Sequence, residues 1–350
     1  MLIRSVIIAS LACASAVAPT AQVSAQVTEE NRRPLVLHDE DGKWIGHGVC
    51  YGPHRDGMTP GEQDPTSEQI LEDLLLMDPY FDVIRTYAVG DNERHMLRHI
   101  KERGLGLKLV MGVWIRPESE LDPERNPGRA IGDGVEFNND QVRIAVELCN
   151  EYPDIVSALV IGNETQVGWS FHPVNEHTLA RRIREIRDQI TQPVSTADLW
   201  DWWSSPTSDV VAAECDFVGL HAYAMWSNQP IDGAMQWTRD RIEDVRSFRP
   251  DMPIYMCELG WATNKHTEGD QGRLITGTAD EANQELFYRS WRSYAGGVRQ
   301  PYLWFQAFDE KWKGGPHVNE VEKHWGLFNS DRTPKRALSS GPASEPLGEQ

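Results

Sequence analysis

From Trp44 onward, apolar segments of strand length alternate with amphipathic segments of helical period. This alternation is typical of a parallel sheet whose strands are joined by helices. The predicted strands cover 44–51, 83–88, 107–114, 155–163, 194–199, 217–223, 253–259 and 301–307. The predicted helices lie between them, at 67–77, 91–103, 138–150, 175–191, 207–213, 237–248 and 280–296. Eight strands with seven intervening helices predict an α/β fold, a single (β/α)₈ TIM barrel.

The first 25 residues have the composition of a secretory signal. Arg4 precedes an apolar run from Val6 to Ala18, and the small residues Val23-Ser24-Ala25 follow as a cleavage site. The apolar run is too short to span a bilayer. We therefore expect residues 1–25 to be a signal peptide, and the mature protein to be secreted or periplasmic.

The rest of the chain reads as one domain with a short tail. No linker rich in Pro, Gly or Ser interrupts residues 44–338, so the predicted barrel domain covers 26–338. Residues 339–350 begin with small and polar residues, a composition that predicts a disordered tail. We expect a monomer.

The charge and the cysteines narrow the classes of partner. The formal net charge of −19 argues against nucleic acid and anionic membranes as partners, and we expect no membrane insertion. Export would permit disulfides, but the sequence contexts of the cysteines favour isolated buried thiols over bridges. Their spacing matches no zinc pattern. The cysteines of the mature chain are Cys50, Cys149, Cys215 and Cys257.

Two glutamates stand where an apolar strand gives way to a loop. Glu164 ends the fourth predicted strand, and Glu258 lies near the end of the seventh. A carboxyl at the end of a buried strand loses hydration, so it needs a partner or a task. These strands face each other across the barrel mouth, where active sites of this fold lie. Two converging carboxyls can cleave a glycosidic bond, with retention at about 5–5.5 Å and inversion at about 6.5–9.5 Å. Asn163 could bind the sugar 2-hydroxyl.

Most of the 13 tryptophans fall at predicted strand ends or in the loops that follow them. An aromatic face is a platform for the apolar face of a pyranose, so this distribution favours a sugar cleft. The alternative is that part of these rings only pack the loops. The tryptophans concerned are Trp114, Trp169, Trp200, Trp202, Trp203, Trp226, Trp261, Trp304 and Trp312.

Several segments in order resemble one enzyme family over nearly the whole mature chain. They are Gly48-Val49-Cys50-Tyr51-Gly52, Ile84-Arg85-Thr86-Tyr87, Gly162-Asn163-Glu164, Glu258-Leu259-Gly260-Trp261, Phe308-Asp309-Glu310-Lys311-Trp312-Lys313, and Glu322 ahead of Trp325-Gly326-Leu327-Phe328-Asn329. With them the chain resembles glycoside hydrolase family 17, the β-1,3-glucanases. It departs from the plant members in two longer loops, 116–138 and 263–278, which leaves internal or terminal cleavage open.

The resemblance implies a retaining, cofactor-free and metal-free hydrolase that cleaves β-1,3-glucan by double displacement. It makes Glu164 the general acid/base and Glu258 the nucleophile, and its partner a β-glucan oligo- or polysaccharide. The expected substrate-binding residues are Tyr51, Arg85, Tyr87, Asn163, Tyr223, Trp261, Glu310, Lys313 and Glu322. Tyr223 is placed to donate a hydrogen bond to Glu258. For Tyr51, Arg85 and Tyr87, a buried polar network that supports the site is the alternative.

Three other functions remain open. A β-1,3-glucan glucosyltransferase would use the same glutamates, with acceptor subsites in the loop Trp200–Trp203. A non-catalytic glucan-binding barrel is less favoured, because binding alone needs no converging acids. A metal hydrolase could use His95 and His99, spaced i, i+4 on a helix. Those histidines lie far from the strand ends, so we interpret them as surface residues.

Overall fold

The computed structural model describes residues 26–118 and 133–339. Eight parallel strands form a closed barrel in sequence order, in which β1 pairs with β8, so the predicted TIM barrel is confirmed. The strands are β1 His47–Cys50, β2 Val83–Arg85, β3 Lys108–Val113, β4 Val156–Asn163, β5 Val194–Leu199, β6 Val218–His221, β7 Ile254–Leu259 and β8 Tyr302–Trp304. Their carboxyl ends all open at one face of the barrel.

Helices surround this barrel. They are α1 Ser67–Met77, α2 Asp91–Arg103, α3 Asp133–Glu151, α4 Glu176–Arg187, α5 Trp200–Trp203, α6 Asp209–Ala212, α7 Ile231–Phe248, α8 Gly269–Leu274 and α9 Glu281–Val298. Single 3₁₀ turns lie at Glu29–Asn31, Pro206–Ser208 and Val321–Lys323. In the parts of the chain that the structure describes, none of these helices has the length and apolar character to cross a membrane.

The helix ends follow from the local sequence. Thr66 caps α1 by accepting the N–H of Gln69, whose side chain accepts the N–H of Thr66 in return. Asp280 caps α9 through the N–H of Asn283 at 2.8 Å. α7 begins at Ile231, six residues before the predicted start at 237, and Pro230 lies directly before it. The sequence did not predict this first turn because Gly233 interrupts the apolar period. The sequence did not predict α5 and α8, which are too short to show a helical period.

The core lies between the sheet and the outer helices. Trp304 in β8 packs against Phe287 and Tyr288 of α9, with ring centroids 5.5 and 5.1 Å apart. The four cysteines of the described residues are buried free thiols. Burial raises the pKa of Cys149 to about 12, so this thiol stays protonated and unreactive. The predicted signal peptide 1–25 lies outside the described residues, as does the tail from residue 340, and both stay predictions.

Candidate active site

Glu164 and Glu258 meet above the carboxyl ends of the strands. One oxygen of each carboxyl and one ring nitrogen of His221 all lie within 4.8 Å of one another. So short a distance between the nearest carboxyl oxygens is compatible with the separation of about 5–5.5 Å that retaining glycosidases use. The two glutamates differ in access to solvent: the Glu164 side chain is 18% exposed and that of Glu258 only 5%.

Three donors surround the carboxylate of Glu258. Arg85 Nη1 and the Tyr87 hydroxyl donate to Oε1 at 2.7 and 2.9 Å, and the Tyr223 hydroxyl donates to Oε2 at 2.6 Å. Burial alone would raise the pKa of Glu258, but His221, Arg85 and the two phenols together hold it below the usual value. Glu258 is therefore ionised at neutral pH. Burial raises the pKa of both phenols well above its ordinary value, so they remain donors.

Arg85 links Glu258 to the fourth strand. It is fully buried, and its Nη2 donates to Oδ1 of Asn163 at 2.6 Å. Nη1 also donates to the carbonyl of Cys257 at 3.0 Å. Because Arg85 occupies the Asn163 amide oxygen, the amide nitrogen is the group of Asn163 that remains to donate to a sugar hydroxyl.

The backbone turns sharply at Glu164. Its φ of 49° lies in the left-handed region, which costs a residue with a Cβ about 1–2 kcal/mol. The turn is held by the N–H of Glu164, which donates to the carbonyl of Ala197 in β5 at 2.8 Å. Strain of this kind persists only where the surroundings impose it, and it is common at functional sites.

His221 lies between the two glutamates and was not among the predicted site residues. Its Nδ1 is 2.9 Å from Glu164 Oε1, and its Nε2 is 3.4 Å from Glu258 Oε1. Arg85 Nη1, which can only donate, lies 3.2 Å from Nε2. Nδ1 of His221 therefore faces Glu164, and Nε2 faces Glu258 and Arg85. A sequence signal existed: alternate residues of a strand share a face, so His221 accompanies Tyr223.

Comparison with known proteins identifies the family of this chain. Residues 48–326 match the family described as the BtgE/BtgC glycoside hydrolase domain. The chain belongs to this family. It is therefore a glycoside hydrolase, and the resemblance to family 17 is confirmed.

Curated relatives of this glycoside hydrolase are fungal. The glucan 1,3-beta-glucosidase of Schizosaccharomyces pombe is 26% identical, over 83% of this chain and 85% of its own. The glucan 1,3-beta-glucosidase of Arthroderma benhamiae is 29% identical, over 79% and 86%. A probable glucan endo-1,3-beta-glucosidase btgC of Aspergillus terreus is 27% identical over 78% of this chain, which spans only 42% of that protein.

Solved structures share the barrel. An endo-laminarinase from Formosa Hel1_33_131 has a TM-score of 0.72 at 20% identity, covering 84% of this chain and 86% of its own. A glycoside hydrolase family 17 beta-1,3-glucanosyltransferase from Rhizomucor miehei has a TM-score of 0.65 at 21% identity, covering 86% and 99%. At these identities the likeness supports the fold alone.

A second charged group of this glycoside hydrolase comes from the loop after β8. Glu310 Oε2 pairs with Lys313 Nζ at 2.7 Å, and Trp312 Nε1 donates to Glu310 Oε1 at 3.1 Å. Burial raises the pKa of Glu322 to about 7; Lys313 opposes that shift, while the charges of Glu164 and Glu258 add to it. Glu322 is therefore close enough to Glu164 and Glu258 for their charges to affect its pKa.

Two predicted substrate contacts, Tyr51 and Trp261, are used in packing in the structure. Tyr51 is buried and its hydroxyl donates at 3.0 Å to Asp73 in α1, so it belongs to a structural network outside the cleft. Trp261 is also buried. Its Nε1 donates to the carbonyl of Thr278 at 3.0 Å, and its ring packs against that of Phe287, with ring centroids 6.0 Å apart. Neither side chain has a surface that a sugar could reach.

The tryptophans divide between packing and exposure. Trp203 and Trp304 are fully buried, and Trp200 packs on Trp237 of α7 with ring centroids 6.4 Å apart. The expected acceptor surface at Trp200–Trp203 is therefore largely part of the helical layer. In contrast Trp169 is 60% exposed and Trp312 36% exposed, so these rings remain free to contact a sugar.

The same three side chains form the cluster with metal-ligating spacing in the described ranges: Glu164, His221 and Glu258. Arg85 already lies 2.7 Å from Glu258 and supplies a positive charge there. A divalent cation bound to Glu258 would face this guanidinium at close range, which opposes its binding. We therefore derive no metal-dependent step.

Proposed function

We propose that this protein hydrolyses β-1,3-glucan with retention of anomeric configuration, with Glu258 as nucleophile and Glu164 as general acid/base. The observation that carries the proposal is the approach of one oxygen of each carboxyl to within 4.8 Å, together with the unequal surroundings of the two groups. Glu258 is buried among donors that keep it anionic, whereas Glu164 is the more exposed group at the cleft. Unequal environments of this kind assign the two roles.

In the first half-reaction, Glu164 donates its proton to the glycosidic oxygen while Glu258 attacks the anomeric carbon. The bond to the leaving sugar breaks, and a glycosyl ester forms on Glu258. In the second half, Glu164 as carboxylate takes a proton from water, the water oxygen attacks the anomeric carbon, and Glu258 leaves as carboxylate. Atoms and charges balance, since one water is consumed for each bond cleaved.

The other side chains hold this geometry. Arg85, Tyr87 and Tyr223 fix the orientation of Glu258 and stabilise its charge when it leaves in the second half. Hydrogen bonds to a charged group contribute roughly 1.5–3 kcal/mol each. The Asn163 amide can bind the 2-hydroxyl, a contact that strengthens in the transition state.

The substrate class is taken from the relatives. Glucan 1,3-beta-glucosidase is the name of the S. pombe relative, and endo-laminarinase is that of the Formosa neighbour. We further propose that the protein acts outside the cytoplasm, because of its predicted signal peptide. We also propose that it acts as a monomer and does not insert into membranes.

Proton NMR during laminarin hydrolysis tests this proposal. We expect the β-anomer of the new reducing ends to appear first, and the α-anomer only by mutarotation. Chromatography of the same time course gives the product lengths and so distinguishes internal from terminal cleavage. Initial release of the α-anomer would overturn the retaining mechanism, and cleavage of other β-glucans in preference to laminarin would overturn the linkage.

A glucosyltransferase is the second candidate, and a specific surface favours it. Trp169 and Phe171, which is 82% exposed, lie in the loop that directly follows Glu164. An aromatic surface beside the acid/base could bind an acceptor sugar in place of water. Incubation with laminaripentaose at millimolar concentration should then give products longer than the substrate. Products that are only shorter would leave hydrolysis as the sole activity.

A further inference from the structure

A buried acidic side chain binds the backbone two residues after the general acid/base. Asp198, near the end of β5, is fully buried. Its Oδ2 accepts the backbone N–H of Gln166, and its Oδ1 accepts that of Leu199, both at 2.9 Å. The preceding residue, Ala197, accepts the N–H of Glu164. Consecutive residues of β5 therefore bind the chain immediately at and after Glu164.

This double attachment coincides with the left-handed turn at Glu164. The N–H of Glu164 is held by Ala197, and two residues later the N–H of Gln166 is held by Asp198. The side chain of Gln166 continues the attachment by donating to the carbonyl of Val174 at 2.8 Å. A φ of 49° costs energy at a residue with a Cβ, so it depends on restraints of this kind.

A carboxylate is an expensive choice for this task. Burial, and to a smaller extent the charge of Glu164, raise the pKa of Asp198 to about 7 against the effect of its two backbone donors. A packing role would be served by an uncharged residue at lower cost. The cost of burying Asp198 therefore indicates a functional role, which its hydrogen bonds to the backbone can explain.

We propose that Asp198 is a positioning residue for the general acid/base. By holding the N–H of Gln166 it fixes the backbone turn at Glu164, and so aims the Glu164 carboxyl at the glycosidic oxygen. The inference rests on the proposed role of Glu164. It assigns to Asp198 no contact with substrate.

The test compares Asp198→Ala on two substrates. With laminarin, whose leaving sugar needs a proton, kcat/KM should fall about 10²-fold, the effect of displacing a catalytic group by about 1 Å. With 2,4-dinitrophenyl β-laminaribioside, whose leaving group needs no proton, kcat/KM should change less than about threefold. On the second substrate kcat and KM should fall together, because Glu164 must also activate water and the glycosyl-enzyme accumulates.

Asp216→Ala is the matched control. Asp216 is also buried and also accepts a backbone N–H of β5, that of Val194 at 3.0 Å, but it lies at the opposite end of the strand and pairs with Arg187. Its loss should lower the melting temperature and leave the ratio of the two kcat/KM values unchanged. If Asp198→Ala does not fold, Asp198→Asn takes its place. The amide has one acceptor oxygen for the two backbone N–H groups of Gln166 and Leu199, so the loss should again be specific to laminarin, but smaller.

Equal losses on both substrates, or a ratio like that of Asp216→Ala, would overturn the inference. Glu164→Ala separates this failure from failure of the proposed function. If Glu164→Ala shows the dependence on the leaving group and Asp198→Ala does not, only the role of Asp198 is wrong. If neither shows it, the role of Glu164 itself is wrong.

Discussion

The guanidinium of Arg85 lies 2.7 Å from the carboxylate of Glu258, and this ion pair is almost completely withdrawn from solvent. A buried pair of this kind often adds no stability compared with apolar residues of the same volume, because both ions lose their hydration. Its value here is functional: it keeps a carboxylate ionised in a dry site, where an anion is the more reactive nucleophile.

Replacing Arg85 should expose this cost. Arg85→Ala leaves a buried, unpaired Glu258, so the free energy of unfolding should fall by roughly 3–5 kcal/mol. The double variant Arg85→Ala/Glu258→Ala should be less destabilised than the sum of the single variants, since it removes both charges. Urea denaturation of the three variants measures both effects. Additive losses would mean that the two side chains do not interact.

Glu258→Ala should abolish turnover, lowering kcat by more than about 10⁴-fold, because no other group can form the glycosyl ester. The variant should still fold and bind laminarin oligosaccharides, although it loses stability because Arg85 is left buried without its partner. Kinetics on laminarin and calorimetric binding of laminaripentaose check both statements. A variant with near-normal activity would show that the nucleophile is misassigned.

Glu164→Ala should lower the rate on laminarin by about 10²–10⁴-fold, the usual contribution of a general acid. Glycosylation by a dinitrophenyl glycoside should be much less affected. Added azide should restore turnover of that substrate and give a β-glycosyl azide, because the small anion replaces water without needing a base. Equal loss on both substrates would argue against Glu164 as the acid.

Glu322 should make stability depend on pH. Its pKa is raised to about 7 in the folded protein, whereas 4.5 is the ordinary value. Between these values the folded state binds the proton and the unfolded state releases it, so stability falls as pH rises from about 4.5 to 7 and then levels off. Glu322→Gln should remove part of this fall. Thermal unfolding of both proteins from pH 4 to 8 measures it, and identical pH dependence would refute the assignment.

The exposed and buried tryptophans should respond differently. Trp169→Ala should raise KM for laminarin by several-fold with little change in melting temperature, because its ring is exposed in the loop that follows Glu164. Trp261→Phe should lower the melting temperature and leave KM unchanged, because its ring is packed on Phe287. A raised KM with an unchanged melting temperature in Trp261→Phe would show that Trp261 does contact the substrate.

The alternation of strands and helices was enough to predict the barrel, and each predicted strand is present in the structure. Glu164 and Glu258 were predictable because a carboxyl at the end of a buried strand is rare without a task. Because alternate residues of a strand share a face, the strand period also predicts which other side chains face the same site, as it does for Tyr223.

Side-chain direction beyond the strand ends was not predictable. Trp261 follows Gly260, which passes so close to the Phe305 carbonyl that a Cβ there would lie 2.3 Å from it. That close approach sends Trp261 toward α9, and nothing in its local sequence marks the turn. Asp198 escaped notice for a related reason, since its partners are backbone groups of a different loop.

The position of His221 has a consequence for how pH profiles are interpreted. The imidazole of His221 lies 2.9 Å from Glu164 and 3.4 Å from Glu258, so a change of charge at either acid changes the electric field at the other. Replacing any one of these three side chains should therefore shift the pH dependence of activity, including replacement of His221 or Glu258, which exchange no proton with the sugar.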